Sequence, residues 1–309
     1  MSSNVVLKKV FIPNGEIMAY REREGGVTPL LLIHGNMSSS THWDILMEHM
    51  PVEYKIYAID LRGCGESSYK QPFDSLYELA EDIFQFVVQM GLSNAHVVGW
   101  STGGGVAMCL AARHPQIVKT LTLMCSISTR GYPIYKITYG LPKPIRGKRL
   151  TTKEEIERNL LKTQLVLKAY EEHNHLILKV LWNLLVYQNG RPHKDRYHQY
   201  LEEMCKQRNL IDIYDAINTF NISEYDNGLM KGSGDVNHIK APVLVITGEE
   251  DRVIPREMSH ELVKDLGPEA KHVRLPHCGH SPLSDDLHEV VYQLTTFIEM
   301  NCRLLTNET

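Results

Sequence analysis

Apolar positions along this chain follow two rhythms, and the rhythm changes twice. From Val5 to Met124, strand-sized apolar runs alternate with stretches whose apolar residues recur at helical spacing. Val5 to Ile12 and Glu16 to Arg23 flank Pro13-Asn14-Gly15, and Asn-Gly between two such stretches predicts a β-hairpin. Pro29 to Ile33, Tyr54 to Ile59, Ala95 to Val98 and Ile117 to Met124 read as buried strands. Between them, Thr41 to Met50 sets Trp43, Leu46, Met47 and Met50 on one helical face, and over Ser75 to Met90 Leu76, Ala80, Ile83, Phe84, Val87 and Val88 recur at helical spacing.

From about Ser128 to about His238 the alternation stops. Pro133, Pro142 and Pro144 predict an irregular linker, and the run Lys143 to Arg149 reads as part of it, solvated. Thr152-Lys153-Glu154-Glu155 has the form of a capping box opening a helical run. Leucines and Trp182 then supply apolar positions, and Asp195 to Gln207 and Ile211 to Asn218 continue helical. Alternation resumes with a strand over Pro242 to Gly248, a helix over Pro255 to Leu266, a strand over Lys271 to Leu275 and a closing helix over Asp286 to Leu305. The expected architecture is α/β: a mostly parallel sheet flanked by helices, interrupted by a helical insertion. The domains divide as core 1–127 and 239–309, with the insertion at 128–238.

Composition changes this picture little. The chain has 309 residues, 43% hydrophobic and 23% charged, which is ordinary for a globular protein with a large core. A formal charge of −4 gives no reason to expect nucleic acid or an anionic membrane as partner. Apolar runs fall short of the roughly 18 residues of a spanning helix. Six scattered cysteines form no C-x-x-C pair, and the N-terminus has no charged segment followed by a long apolar one, so free thiols and a cytoplasmic location are expected. His173-x-His175, and His193 with His198, have metal-pair spacing, but without a carboxylate partner they are weak, and no metal is expected.

The chemistry concentrates where the Ala95–Val98 strand ends. Gly99-Trp100-Ser101-Thr102-Gly103 is a Gly-x-Ser-x-Gly pentad between that strand and a small-residue helix, which holds a serine hydroxyl exposed on a strained turn. A phosphate-binding loop fits poorly, because neither G-x-G-x-x-G nor G-K-[ST] is present. A serine nucleophile needs a base and a group that orients the base, and in such sheets both follow later strands in the order Ser, acid, His. Asp251 follows the Val243–Ile246 strand, with Glu249 and Glu250 as rivals, and His280 follows the last strand, with His277 as its rival. Gly279 is read as freeing the backbone that turns His280 inward. Oxyanion donors are expected from Thr102 N–H and from the loop His34-Gly35-Asn36-Met37, with Asn36 N–H ahead of Met37 and His34 pinning the loop.

Taken together, His34-Gly35-Asn36, Asp60 to Ser67, Gly99 to Gly104, Gly248 to Pro255 and Gly279 to Pro282 resemble the α/β-hydrolase superfamily. The Ser-Thr-Gly-Gly-Gly run is similar to that of its serine esterase and perhydrolase branch. The resemblance implies Ser101 as nucleophile, His280 as base, Asp251 as acid, Asn36 and Thr102 as oxyanion donors, no cofactor, and a cap in place of the insertion. Serine at position 101 counts against the epoxide hydrolases and haloalkane dehalogenases, which use aspartate. The expected activity is hydrolysis of a small ester, lactone or related acyl compound. C–C bond hydrolysis, perhydrolysis, and a ligand receptor or scaffold with little turnover stay open, as does homodimer formation. Tyr132, Tyr135, Tyr139, Trp182 and Tyr187 are candidates to roof an apolar pocket.

Overall fold

The computed structural model describes residues 5–138 and 145–307. β1 (Val5–Phe11) and β2 (Ile17–Arg23) pair as the antiparallel hairpin, turning through Gly15 at a φ of 92°. β3 (Thr28–Ile33), α1 (Asp44–His49), β4 (Tyr54–Ile59), α2 (Leu76–Gln89), β5 (Ala95–Trp100), α3 (Thr102–Arg113) and β6 (Val118–Met124) follow in the expected alternation. The helix expected over Thr41 to Met50 opens instead as a 3-10 turn, Ser40–Trp43. Ser39 causes the tight start: its side chain accepts from Thr41 N–H while His42 Nδ1 accepts from Ser39 N–H.

The first segment of the insertion departs from expectation. β7 (Tyr135–Thr138) and β8 (Ile145–Arg149) form a small antiparallel sheet where an irregular, solvated linker was expected. Two strands alone are marginal in water. These are fastened by Asn218, whose side chain accepts from Ile134 N–H at 2.9 Å and from Arg149 Nε at 3.0 Å and donates to Leu150 O at 2.9 Å. The Arg149 guanidinium also donates to Asn227 O at 2.7 Å, so this cation is anchored rather than solvated. Tyr139, Pro142, Lys143 and Pro144 lie outside the described residues.

Helices make up the rest of the insertion. α4 (Lys153–Glu157) is capped by Thr152, which accepts from Glu155 N–H at 3.2 Å, but the Glu155 carboxylate takes Thr151 N–H instead of completing the box. One π-helical stretch, Leu160–Gln164, leads into α5 (Leu165–Glu171), and α6 (His175–Leu185), α7 (Lys194–Cys205) and α8 (Leu210–Thr219) follow. The chain then returns to the core with β9 (Val243–Gly248), α9 (Arg256–Leu266), β10 (Lys271–Leu275), α10 (Pro282–Asp285) and α11 (Leu287–Asn307).

The main sheet runs β1-β2-β4-β3-β5-β6-β9-β10. From β4 to β10 neighbouring strands are parallel, and β2 joins β4 antiparallel. The order reverses direction at β3, so the crevice between the carboxyl ends of β3 and β5 is where such sheets bind ligands. Every residue of β5 and nearly all of α3 are buried, which is why both read as apolar without alternation. Beneath α2, Arg62 holds Asp82 through two hydrogen bonds of 2.6 and 2.7 Å, both side chains buried.

The packing of α3 on β3 sets the height of the strand–helix turn. A Cβ on Gly103 would stand 2.3 Å from Ile33 O and 2.4 Å from His34 O, and a Cβ on Gly99 would stand 2.4 Å from Gly103 O. All of these obstacles are backbone and cannot rotate away. Gly103→Ala is therefore expected to destabilise the protein by about 1–3 kcal/mol, the range for overpacking a well-filled core. Urea unfolding reads the loss, and an unchanged midpoint would mean that α3 lifts off the sheet without cost.

Candidate active site

Ser101 sits between β5 and α3 with φ 56° and ψ −120°. A non-glycine residue pays about 1–3 kcal/mol for such a backbone, and the surroundings must hold it there. They do: Ser101 N–H donates to Met124 O at 3.0 Å, and Ser101 O accepts from Gly104 N–H at 3.0 Å. The turn points the hydroxyl over the carboxyl edge of the sheet. His280 Nε2 lies 3.0 Å from Ser101 Oγ, and His280 Nδ1 lies 2.9 Å from Asp251 Oδ2. Asp251 Oδ1 accepts from Val253 N–H at 2.7 Å and Ile254 N–H at 2.9 Å, which fixes the carboxylate on its turn. The side chains of His280 and Asp251 are each 5% exposed.

The rivals lie elsewhere. His277 is exposed, and Glu250 accepts from the side chain of Asn189 at the surface. Glu249 is exposed too. Gly279 is not among the residues with positive φ. What shapes the His280 loop is Asp285, whose carboxylate accepts from Gly279 N–H at 2.7 Å and from Gly190 N–H at 2.6 Å, bracing the loop against the insertion. Burial raises the Asp285 carboxyl above the ordinary range.

On the opposite side, Gly35 lets the β3 loop approach, since a Cβ there would stand 2.9 Å from Ser101 Cβ. His34 pins this loop: its Nε2 accepts from Leu61 N–H at 3.0 Å, and its Nδ1 lies 2.7 Å from Gly35 O and 3.2 Å from Ser38 Oγ. Burial lowers the His34 pKa and keeps the ring neutral in that acceptor role. Met37 N–H is taken by Gln207 Oε1 at 3.1 Å, whereas Asn36 N–H has no acceptor among the described residues. Thr102 is the first residue of α3, and its N–H has no carbonyl one turn back. The Asn36 side chain is held by Gln207 Nε2 at 2.8 Å and by the Tyr214 hydroxyl.

A cavity of about 310 Å³ opens over Ser101 and His280, between the core and the insertion. Trp182, Leu181, Leu185 and Val186 of the α6 segment, Tyr214 and Ile217 of α8, and Ile127 and Ile254 of the core give it mainly apolar walls. Of the aromatic residues expected to roof it, Tyr132 and Trp182 line it. Tyr187 packs instead inside the insertion, its ring 5.2 Å from that of Trp182 and 5.1 Å from that of Tyr197. Tyr135 is not among the lining residues.

Several residues support the site without being fixed by a motif, Trp100 among them at the variable second position of the pentad. Trp100 donates through Nε1 to His280 O at 2.8 Å, with its ring 5.7 Å from the His280 ring. Cys125 follows β6 at a φ of 43° and donates through Sγ to Gly279 O at 3.6 Å, against the Asp251 carboxylate, and burial drives its thiol pKa far up. Its place just past the carboxyl end of a parallel strand is the signal that finds it. Gln207 and Lys162 come from the insertion and have no such signal. Because Trp100 bonds the His280 backbone, Trp100→Phe should lower turnover of p-nitrophenyl butyrate by roughly three- to tenfold, the worth of one hydrogen bond. Unchanged kcat in a variant with the native melting temperature would show that the His280 backbone needs no such clamp.

Residues 28–287 match the family described as the alpha/beta hydrolase fold. Among curated proteins, the chain is 27% identical over 300 residues to Lipase 1 of Psychrobacter immobilis, covering 96% of this chain and 84% of that protein. It is 27% identical over 288 residues to the dihydrolipoyllysine-residue acetyltransferase component of the acetoin cleaving system of Pseudomonas putida, covering 92% of this chain and 67% of that protein. An esterase from Exiguobacterium antarcticum superposes with a TM-score of 0.71 at 16% identity, covering 97% of this chain and all, 100%, of that one, a likeness of fold. No helix among the described residues is long and apolar enough to cross a membrane. With its sheet order, its strained serine turn and a family match over 28–287, this chain belongs to the α/β-hydrolase fold family.

Proposed function

We propose that the protein is a serine hydrolase that cleaves a small carboxylic ester or related acyl compound, with Ser101 as nucleophile, His280 as base and Asp251 as the acid that orients it. The observation that carries this reading is the unbroken hydrogen-bond chain Ser101–His280–Asp251 at the floor of an apolar cavity. The similarity to Lipase 1 of Psychrobacter immobilis supports the same chemistry.

Ser101 Oγ attacks the carbonyl carbon as its proton passes to His280 Nε2. Asp251, bonded to Nδ1, holds the ring in the tautomer whose Nε2 can accept and stabilises the imidazolium that forms. The carbonyl oxygen becomes an oxyanion held by the N–H groups of Thr102 and Asn36. The start of α3 adds its dipole at Thr102. His280 then protonates the leaving alcohol, and the acyl–Ser101 ester remains. Water, deprotonated by His280, attacks that ester and releases the acid, returning the proton to Ser101. No step requires a metal or a cofactor.

The division into a core of 1–127 and 239–309 and a cap of 128–238 belongs to the same reading. The cap would set which substrates reach Ser101, because the wall residues from α6 and α8 lie in it. A cavity of about 310 Å³ favours small acyl groups over long lipid chains. A cytoplasmic location without a nucleic-acid partner fits the balanced charge of −4, and a homodimer is the oligomer this reading allows.

Ser101→Ala tests the assignment. Turnover of p-nitrophenyl acetate or butyrate should fall by about 10⁴-fold or more, as it does when the nucleophile of such a set is removed. A fluorophosphonate should label the native protein at Ser101 and leave the folded variant unlabelled. Near-native turnover in a variant with an unchanged melting temperature would remove Ser101 from the mechanism.

A further inference from the structure

The cavity over Ser101 holds one feature that apolar acyl chains do not call for. Lys162, in the π-helical stretch ahead of α5, lines it together with Tyr132, Tyr214 and Leu161. Its Nζ stands 4.8 Å from the Tyr132 ring centre and 5.2 Å from that of Tyr214. Apart from His280, no Asp, Glu, Arg, His or second Lys is among the described residues that line the cavity, and Lys162 has no carboxylate partner among the described residues. Desolvation alone pushes its ammonium down to about 8, with no anion to restore it. Two ring faces offset part of that cost. Other cap lysines are served differently: Lys153 lies 2.7 Å from Asp212, and Lys206 lies 2.7 Å from Glu203.

Resting on the serine-hydrolase reading, we propose that Lys162 is the binding site for a carboxylate on the substrate, so that the preferred substrate is an acyl ester carrying a second, anionic group. A carboxylate brought into the cavity gives the ammonium the partner it lacks, in surroundings where a charge-assisted bond is strong. Tyr214 couples this end to the chemistry, because it touches Lys162 through its ring and Asn36 through its hydroxyl.

The test compares matched esters: the monomethyl esters of succinic, glutaric and adipic acids, each against the neutral analogue with an isopropyl group in place of the carboxylate. A parallel set carries the carboxylate on the alcohol arm and reports which arm reaches Lys162. The native enzyme should favour the best anionic ester over its neutral partner by about tenfold or more in kcat/KM, mainly through KM. Lys162→Met should erase that ratio and Lys162→Arg should restore part of it. The same pairs titrated calorimetrically into Ser101→Ala measure the preference without turnover. Absence of any anionic preference in both measurements, or its survival in Lys162→Met, would overturn the proposal. An anionic preference in binding without hydrolysis of any ester would uphold the Lys162 site and count against the hydrolase reading.

A second inference rests on a different part of the cap. His173, at a φ of 48° just after α5, and His175, the first residue of α6, face α7, where His198, Glu202 and Cys205 share one side at i, i+4 and i+7. The donor atoms of His175, His198 and Glu202 all lie within 4.8 Å of one another, as do those of His173, His175 and Cys205. His175 Nε2 is buried and 3.2 Å from Glu202 Oε1, yet the contact lacks hydrogen-bond geometry, so the nitrogen has no hydrogen-bond partner among the described residues. We infer that the cluster binds a divalent ion of the zinc type, through His175, His198 and Glu202, with His173 or Cys205 as the fourth donor. Imidazole and thiolate donors select such a metal over magnesium or calcium. Tetrahedral bonds of about 2.0–2.3 Å need the donors roughly 1 Å closer together, within the reach of side-chain rotation.

Zinc titrated into chelator-treated protein against a chromophoric chelator should show one tight equivalent and a raised melting temperature. Both effects should disappear in His175→Gln and in Glu202→Gln. Cobalt in place of zinc should give a thiolate charge-transfer band, lost in Cys205→Ser, if Cys205 is the fourth donor, and no such band if His173 is. The inference fails if the native protein takes up no zinc, or if His175→Gln and Glu202→Gln bind it as the native protein does.

Discussion

The contact on which this structure depends is the approach of α3 to β3. Gly103 lies so close to the carbonyls of Ile33 and His34 that no side chain fits between them. That closeness forces the chain to turn within one residue, and the residue is Ser101, held at a φ of 56°. The strain is borne by the packing of a fully buried strand and an almost fully buried helix. The placing of the hydroxyl at the cavity floor, the N–H of Thr102 at the helix start and the nearness of Asn36 are consequences of the same geometry.

A second layer holds the partners at fixed distances from that turn. Asp251 is locked by the backbone of Val253 and Ile254, and the His280 loop is held by Trp100 from below and by Asp285 from the side. Asp285 and Gln207 also bridge to the cap, through Gly190 and through the loop of Asn36 and Met37. The cap is therefore more than a cover. Gln207 bonds the loop of Asn36 and Met37, and the Gly190 backbone bonds Asp285 beside His280, so cap position and site geometry are coupled through named hydrogen bonds.

Much of this was legible in the sequence. Buried parallel strands show as unbroken apolar runs, the hairpin shows in Asn14-Gly15, and the pentad about Ser101 shows because its glycines answer a local steric demand. Asp251 and His280 were legible for a topological reason: chemistry collects at the carboxyl ends of parallel strands. The role given to Gly279 was not borne out, since the backbone there is held by a carboxylate from α10 rather than freed by a positive φ. The strand pair β7 and β8 was missed because its stability comes from Asn218, some seventy residues later, rather than from its own pattern.

By itself, then, the sequence determined the sheet, the serine turn and the order of its partners, because each follows from local sterics or from periodicity along one strand or helix. Tertiary structure decided which side chains from the cap face the cavity and which face one another. The histidines illustrate the difference. In sequence they pair as His173 with His175 and His193 with His198, but the antiparallel packing of α6 on α7 regroups His175 with His198 and Glu202. Likewise no sequence pattern singles out Lys162, and only the fold sets its ammonium against the rings of Tyr132 and Tyr214 beside the cavity. Contacts between helices joined by loops depend on packing angles that no local pattern encodes, and the cap walls of the cavity are made of such contacts.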